Sequence, residues 1–390
     1  MHPGAIEARL RAGWTRRGVL AWLLLPLALI FGLLAASRRL LYRLELLPQS
    51  RVGRPVVVVG NLVVGGAGKT PLVLALIEAL RARGRVPGVI SRGHGGSGSA
   101  AGLLVAADTP ASVAGDEACL IRRRGAVPVA IGRDRVAAAR LLLAAHPQVD
   151  LIIADDGLQH LALARDVAVA VFDGRGAGNG WLLPAGPLRE PLSRLATVDA
   201  VVVNGAAPDA LPGMTHLSRS APLTGAATPV TPVTPVSSAS TGAAAASAAG
   251  AATGANAATA ATAPPPPRWF GMQLTPAGAW QLVDPANQQS LSAFRDQNLL
   301  AVAGIGQPER FFATLSAAGL RFAHQALPDH HDFAGTTWPA HDGPIVMTEK
   351  DAVKCLDRDD PRLWAVRVAA SVEPGLVDLI LERVRGSATA

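Results

Sequence analysis

The chain has 390 residues, 49% of them apolar and only 4% aromatic, and a formal net charge of +7 from 36 basic against 29 acidic side chains. That length allows about two domains with ample core, and two distant cysteines, Cys119 and Cys355, exclude a disulfide framework or a cysteine metal spacing and fit a reducing compartment. The basic excess, nearly all arginine, is compatible with nucleic acid, anionic lipid or a phosphorylated substrate and selects none of them.

Residues 18–37 (GVLAWLLLPLALIFGLLAAS) carry no charge. As a helix rising ~1.5 Å per residue they reach ~30 Å, about one bilayer core. A cleaved signal peptide fits poorly, because the apolar run is long and Arg38 and Arg39 follow it. A buried core helix would not be uncharged on every face. The stretch is therefore predicted to anchor the chain in a membrane, either crossing it or lying partly within one leaflet with Pro26 bending it. Arg16 and Arg17 precede it and Arg38, Arg39 and Arg43 follow. Both flanks are basic, so charge does not orient it, but the arginines suit an anionic head-group layer.

Residues 56–80 read VVVVGNLVVGGAGKTPLVLALIEAL. Four valines predict a buried parallel strand. Leu72, Leu76, Ile77 and Leu80 recur at helical spacing, and Pro71 suits a first helical turn. Between strand and helix lies a loop of Val63, Val64, Gly65, Gly66, Ala67, Gly68, Lys69 and Thr70. Strand, glycine loop and helix are the setting of a phosphate-binding loop. Glycines let several N–H groups converge on one anion, and the helix N-terminus adds positive dipole. Lys69 reaches terminal phosphates and Thr70 offers a hydroxyl to Mg²⁺. Val63 stands where the generic pattern has its first glycine, so the match is to the GGxGKT variant.

Further on, 86–91 predicts a strand that ends in Ser91-Arg92-Gly93-His94-Gly95-Gly96. Gly115-Asp116-Glu117 opens a helix, where the two acids serve as caps, a general base or a magnesium-linked carboxylate. A strand at 127–131 and a helix at 133–145 precede VDLIIADDGLQH (149–160). There Asp155 and Asp156 sit at the carboxyl end of an apolar strand, an arrangement that serves Mg²⁺ downstream of a phosphate loop. Strands follow at 167–173 and 200–203, separated by a long loop carrying Trp181, Arg189 and Arg194, arginines of a kind that clamp phosphates.

From about 206 to 267 the composition turns to Ala, Thr, Pro, Ser and Gly, which predicts a mobile linker or insertion. Afterwards 269–274 and 280–283 are expected to pair as a hairpin. A strand at 299–305 and a helix at 308–318 follow. LPDHHDF (327–333) reads as a polar loop in which a histidine beside an aspartate holds a metal or orients a catalytic carboxylate. Strands at 344–348 and 363–368 and a helix at 374–385 complete the chain.

Placed in order, VVVVGNLVVGGAGKTP, SRGHGG, GDE, DDGLQH, LLPAGPLREP, AVAGIGQPERF, LPDHHDF and TEKDAVK resemble the tetraacyldisaccharide 4′-kinase family. The resemblance covers nearly the whole chain outside the low-complexity segment. It implies a membrane-associated P-loop kinase that moves the γ-phosphoryl group of ATP, with Mg²⁺, to the 4′-hydroxyl of a tetraacylated glucosamine disaccharide 1-phosphate. Under it the 63–70 loop binds ATP, and Asp116 aided by His330 is the base. Glu117, Asp155 and Asp156, with Thr70, serve magnesium, and Arg189 lies near nucleotide and substrate. His94 stands where the family usually has tyrosine, and His331 follows His330 directly, so the pairing is assigned to His330 by choice.

The expected fold is α/β: a P-loop NTPase-like, mostly parallel sheet with flanking helices, a second smaller α/β lobe and an N-terminal membrane helix. The expected division is a basic segment (1–17), the anchor (18–37), a kinase core (38–205), the linker (206–267) and a C-terminal lobe completing the active site (268–390). The expected partners are a membrane glycolipid and an anionic bilayer surface, with no nucleic acid and no obligate protein partner. The expected place is a bacterial inner membrane with the site facing the cytoplasm. The competing class is a membrane-associated P-loop ATPase switch acting on a protein. It is disfavoured because Val64 stands where such ATPases often carry an extra lysine.

Overall fold

The computed structural model describes residues 13–205, 265–333 and 341–388, with isolated positions 211, 214, 335, 336 and 338 between them. The segment expected to be a linker and the first twelve residues of the basic segment thus lie almost wholly outside the described residues.

The first described helix, α1 (Val19–Arg43), outruns the uncharged stretch by continuing through Arg38 and Arg39. Ala21 and Ala28 are its buried residues, whereas Leu23, Leu29, Leu33 and Leu34 are each about two-thirds exposed. Small side chains seven apart let one narrow stripe lie against the protein body. The opposite apolar surface faces outward, as an element made for a non-aqueous solvent would. Both ends of α1 are tied to the body. Trp22 meets Trp181 edge-on at 4.9 Å and Arg17 lies 5.3 Å over the same ring. At the other end Arg38 donates to the Gln159 carbonyl (3.2 Å) and Arg39 pairs with Glu190 (3.6 Å).

Then come β1 (Val56–Gly60), α2 (Lys69–Ala82), β2 (Pro87–Ser91), β3 (Leu103–Leu104), α3 (Asp116–Gly125), β4 (Val129–Ile131), α4 (Arg135–Ala145), β5 (Leu151–Asp155), β6 (Val167–Asp173) and β7 (Ala200–Asn204). Past the undescribed stretch follow β8 (Arg268–Gln281), β9 (Gln288–Gln289), β10 (Leu300–Ala303), α5 (Pro308–Ala317), β11 (Ala323–Ala326), β12 (Ile345–Thr348), the single turn α6 (Glu349–Ala352), β13 (Leu363–Val372) and α7 (Gly375–Ala388). All strands join one sheet, in the order β11-β10-β12-β13-β8-β7-β6-β1-β5-β2-β4-β3, with β9 pairing β8. Its ladders are parallel except β8 with β13, β8 with β9, and β3 with β4.

The period of two along each strand explains why the valine runs are wholly apolar. Val57 and Val59 pack under α2, α3 and α7, while Val56 and Val58 enter a second cluster with α4 residues on the opposite face. Beyond β8, Ala301 and Ala303 pack with Phe311, Phe312 and Leu315 of α5, and Leu300 and Val302 face a fourth cluster. The last helix, α7, returns to the cluster beneath β1.

One expected element is corrected. Residues 269–274 and 280–283 do not pair as a hairpin: the first segment and the start of the second lie on one long strand, β8, which ends at Gln281. Its first third pairs in parallel with β7, and most of its length pairs with β13, with a register shift between Val366 and Val368. The Thr275-Pro276-Ala277-Gly278 sequence imitates a turn. Proline is tolerated there because Pro276 lies at the irregularity, beyond the β7 pairing and before that of β9.

Candidate active site

The carboxyl ends of β1, β2, β5, β6 and β7 lie at one edge of the sheet. Across the antiparallel β8–β13 ladder β10 and β12 are paired in the opposite sense, and the segments that follow them line the same cavity. The result is a cavity of about 1070 Å³, walled by the glycine loop, the 91–94 turn, Glu117, Asp156, Arg189, Arg310, His330 and Lys350. Phe31 and Arg38 of α1 also reach its wall. Ligands of open parallel sheets bind at this edge.

The glycine loop is shaped by its neighbours. Gly68 caps α2 at φ +95°, and a Cβ there would come within 2.7 Å of the Asn204 amide nitrogen. Asn61 and Asn204, each ending a strand, brace the loop. Asn61 Nδ2 donates to the Val63 and Gly65 carbonyls, and Asn204 Nδ2 donates to the Ala67 carbonyl (3.3 Å). Residues 64–70 line the cavity. Val63 is buried and bridges to Leu188, and the Val64 N–H donates to the Pro187 carbonyl (2.9 Å). Val63 therefore shapes the loop from behind, which accounts for a valine where a glycine is usual. Lys69 Nζ donates to Asn61 Oδ1 (3.1 Å) and lies 3.4 Å from Asp156.

The paired acids after β5 take different environments. Asp156 is shared by Lys69 and Arg189 (3.1 Å). Burial works to raise its pKa, but these two cations outweigh it and hold the carboxyl below its usual range. Asp155 is fully buried just behind, and neither carboxylate oxygen has a hydrogen-bond partner among the described residues. Burial first, and then the charge of Glu117, push it up to about 7. A buried carboxylate without a donor is costly unless a cation faces it. The donor set here, with the Thr70 hydroxyl and Glu117 on the cavity wall, is all oxygen and fits a hard divalent ion such as Mg²⁺. Among the described residues no group of three or more His, Cys, Asp or Glu could hold a metal by itself. Glu117, Asp155 and Asp156 thus do not make such a group in this structure.

Across the cavity, α3 begins at Asp116. Gly115, at φ +85°, lets the 93–94 backbone approach so closely that a Cβ would sit 2.5 Å from the His94 carbonyl oxygen. This contact locks the 91–96 turn to the start of α3. Asp116 is only 4% exposed. Its Oδ2 lies 3.0 Å from His330 Nδ1, 3.8 Å from Lys350 Nζ and 3.9 Å from Lys354 Nζ. Its Oδ1 accepts the Glu117 N–H. Burial raises the Asp116 pKa, yet the His330 bond and the two lysines prevail and lower it. The Asp116 bond raises His330 against its own burial. The His330 ring also faces that of His94, 5.0 Å away at 41°. His331 turns elsewhere, to the Thr336 hydroxyl (3.0 Å), so the geometry selects His330 of the two.

This pairing has a stability consequence with a definite sign. His330, raised from 6.5, contributes fully below that pH and loses its contribution as the pH climbs through the raised value. Asp116, lowered from 3.8, contributes above that pH and loses it as the pH falls through the depressed value. Replacing His330 by alanine is therefore expected to cost most between pH 3.8 and 6.5. Denaturant midpoints of the two proteins should differ more at about pH 5 than at about pH 9. A difference independent of pH would show the contact to be non-ionic.

All the site residues expected from sequence except the buried Val63 and Asp155 line one cavity or, like Asp116, touch a residue that does. Several further residues carry the same site. Arg175 and Arg310 both hold Asp173 (2.8 and 2.9 Å), and Arg175 also donates to the Gly66 carbonyl (3.3 Å). Lys350 pairs with Glu117 (3.2 Å). Arg135 is buried on the cavity wall with its Nε unbonded among the described residues, and burial lowers its pKa. Asn61 and Asn204 were findable as polar residues closing apolar strands. Arg310 and Lys350 were not, because they reach the site from α5 and α6, far from β1 in sequence.

Comparison with known proteins gives one answer. The family model described as tetraacyldisaccharide-1-P 4′-kinase (LpxK) matches residues 20–385. A protein of Herminiimonas arsenicoxydans named tetraacyldisaccharide 4′-kinase is 44% identical, over 99% of this chain and 98% of its own length. One of Methylibium petroleiphilum with the same name is 46% identical, over 95% and 91%. Among solved structures, that of LpxK from Aquifex aeolicus in complex with ATP superimposes with a TM-score of 0.69 at 23% identity, covering 94% of this chain and all of that one. At that identity it bears on the fold alone, which it matches.

Proposed function

The chain belongs to the tetraacyldisaccharide-1-P 4′-kinase family, and from that premise we propose which residues perform the transfer of the ATP γ-phosphoryl group to the 4′-hydroxyl of a tetraacylated glucosamine disaccharide 1-phosphate. The product is lipid IVA, in lipid A synthesis. The observation that carries the assignment is a single cavity with the glycine loop on one wall and the Asp116–His330 pair on the other.

Phosphoryl transfer needs alignment and charge neutralisation more than covalent catalysis. The 64–70 amides and the α2 N-terminus bind the β- and γ-phosphates, and Lys69 follows the γ-phosphate with its mobile charge. Arg189 and Arg310 stand on the same wall to meet the charge that spreads over the equatorial oxygens. A bound Mg²⁺, served by Thr70, Glu117, Asp155 and Asp156, supplies Lewis-acid neutralisation of the phosphate oxygens. The acceptor hydroxyl lies toward Asp116. That carboxylate is a weak base alone because its neighbours lower it, and the neutral form of His330, populated as the pH rises through its raised pKa, is the one that can take up the proton, so the pair acts as one unit. Arg92, Arg133 and Arg135 make one side of the cavity strongly positive, which suits an acceptor that already bears a phosphate.

The C-terminal part, 268–390, completes the site by supplying Arg310, His330 and Lys350 to the 38–205 core. The outward apolar face of α1, bracketed by arginines, supports association with an anionic bilayer in which the four-chain acceptor resides. Holding the enzyme there raises the effective acceptor concentration without a new contact. Use of ATP supports a site that faces the cytoplasm at the bacterial inner membrane.

The test is transfer from γ-labelled ATP to purified tetraacyldisaccharide 1-phosphate. Label on the glycolipid is expected. Label released only as free phosphate, and stimulated by a protein, would replace the kinase by an ATPase switch.

A further inference from the structure

A second cavity, of about 670 Å³, lies outside the site described above, between β8, β9 and the 290–295 turn. Its wall includes Trp280, Ser290, Ser292, Arg295 and Arg367. Among the described residues no aspartate or glutamate lines it, so two arginines line one concavity without a carboxylate on its described wall. Among the described residues Arg295 makes one long side-chain bond, 3.5 Å, to the Ala318 carbonyl. Arg367 Nε is buried and has no hydrogen-bond partner among the described residues, and its nearest acid, Glu349, is 3.8 Å away. The Ser290 and Ser292 hydroxyls, bonded to each other at 2.7 Å, leave one O–H to donate at the same rim.

We propose that this cavity is a binding site for a small phosphate-bearing anion, held by Arg295 and Arg367. Guanidinium forks match the oxygens of a tetrahedral oxyanion, and Arg367 holds its one acid, Glu349, only at 3.8 Å, which leaves most of its donors for such a partner. The volume exceeds what inorganic phosphate fills, and Trp280 offers an apolar wall, so the class is a phosphorylated small molecule rather than the bare ion.

The position gives the site a route to the nucleotide cavity. Val366 and Val368 line that cavity, and Arg367 between them lines this one. Arg367 also approaches Glu349, which is bonded to Arg124 and accepts the Val368 N–H (3.4 Å). Glu349 and Arg124 are both on the nucleotide wall. An anion that draws Arg367 toward itself weakens its hold on Glu349 and leaves that carboxylate to Arg124. Occupancy of the second cavity thereby changes the charge presented to the nucleotide.

The test uses the full chain in detergent, with inorganic phosphate as probe and calorimetric titration as readout. The nucleotide cavity is first filled with a non-hydrolysable ATP analogue and Mg²⁺. Saturable phosphate binding is expected in the parent and in Lys69→Ala, and at least about tenfold weaker binding in Arg295→Gln, the loss of about one charge-assisted hydrogen bond. Arg295→Gln should keep normal turnover, which certifies its fold, and Arg367→Gln should lose phosphate binding similarly. Phosphate should also shift the KM for ATP in the parent and not in Arg295→Gln. Absence of saturable binding in the parent would overturn the proposal. So would binding that survives both arginine changes and disappears in Lys69→Ala, since the phosphate would then be on the glycine loop. The binding arm does not depend on the acceptor's identity, so it stands or falls apart from the kinase assignment.

Discussion

Replacing Asp116 by alanine is expected to lower turnover by roughly 10²–10⁴-fold, the usual worth of a positioned proton acceptor, while ATP affinity stays near that of the parent. The split follows from position. Asp116 starts α3, across the cavity from Lys69, and its partners are His330, Lys350 and Lys354 rather than any part of the glycine loop. Alanine also leaves those three cations facing one another around a buried gap, so lost folding must be separated from lost chemistry. Asp116→Asn serves for that, because it keeps shape and a hydrogen bond to His330 and removes only the charge. It should retain more of the stability than Asp116→Ala, by filling the gap and keeping a hydrogen bond, and still lose most of the turnover. The pair is predicted to act as a unit, so the double change Asp116→Asn with His330→Ala should be scarcely slower than the slower single variant. Additive losses would assign the two residues independent roles, and near-normal turnover in Asp116→Asn would remove the base from this position altogether.

The residues most legible in the sequence were those whose chemistry is local. The 56–80 stretch announces strand, loop and helix through composition alone, and β1, the loop and α2 appear where that pattern places them. Asp155 and Asp156 were legible as a strand end, yet their division of labour was not. Two adjacent carboxylates read alike in a sequence. Only the fold buries one without a donor and hands the other to Lys69 and Arg189. The contact of Asp116 with His330, 214 positions apart, came from family resemblance and not from spacing. No periodicity predicts that β10 and β12 join the same sheet as β1, across an antiparallel ladder of β8 with β13, and that the segments after them reach the same cavity. The error at β8 has the same origin. Thr275-Pro276-Ala277-Gly278 has the local preference of a turn, and long-range pairing with β13 overrides it.

Replacing Lys69 by alanine is expected to fail in the complementary way, with nucleotide affinity and rate falling together. The Nζ sits between Asn61 and Asp156 at the first turn of α2, with its side chain 11% exposed. It is already oriented by a neutral acceptor and a carboxylate, so a triphosphate can take the charge over without the side chain having to be ordered first. A charge-assisted hydrogen bond to phosphate is worth about 1.5–3 kcal/mol, which is roughly 10–150-fold in ATP affinity. Stabilisation of charge that grows in the transition state adds roughly 10²–10³ in turnover, by analogy with other preorganised donors. The change also strips Asp156 of one of its two cations, so its pKa should drift upward and the remaining activity should decline at a higher pH on the acid side than in the parent. Lys69→Arg is not expected to rescue either quantity, because a planar fork cannot take the place of a compact ammonium beneath a loop braced this closely by Asn61 and Asn204. Equilibrium dialysis with ATP and single-turnover transfer on the same preparation measure both quantities. Lys69→Ala with parental affinity and rate would detach the glycine loop from the nucleotide. Lost affinity there, beside kept affinity in Asp116→Asn, would divide the cavity into a donor wall and an acceptor wall.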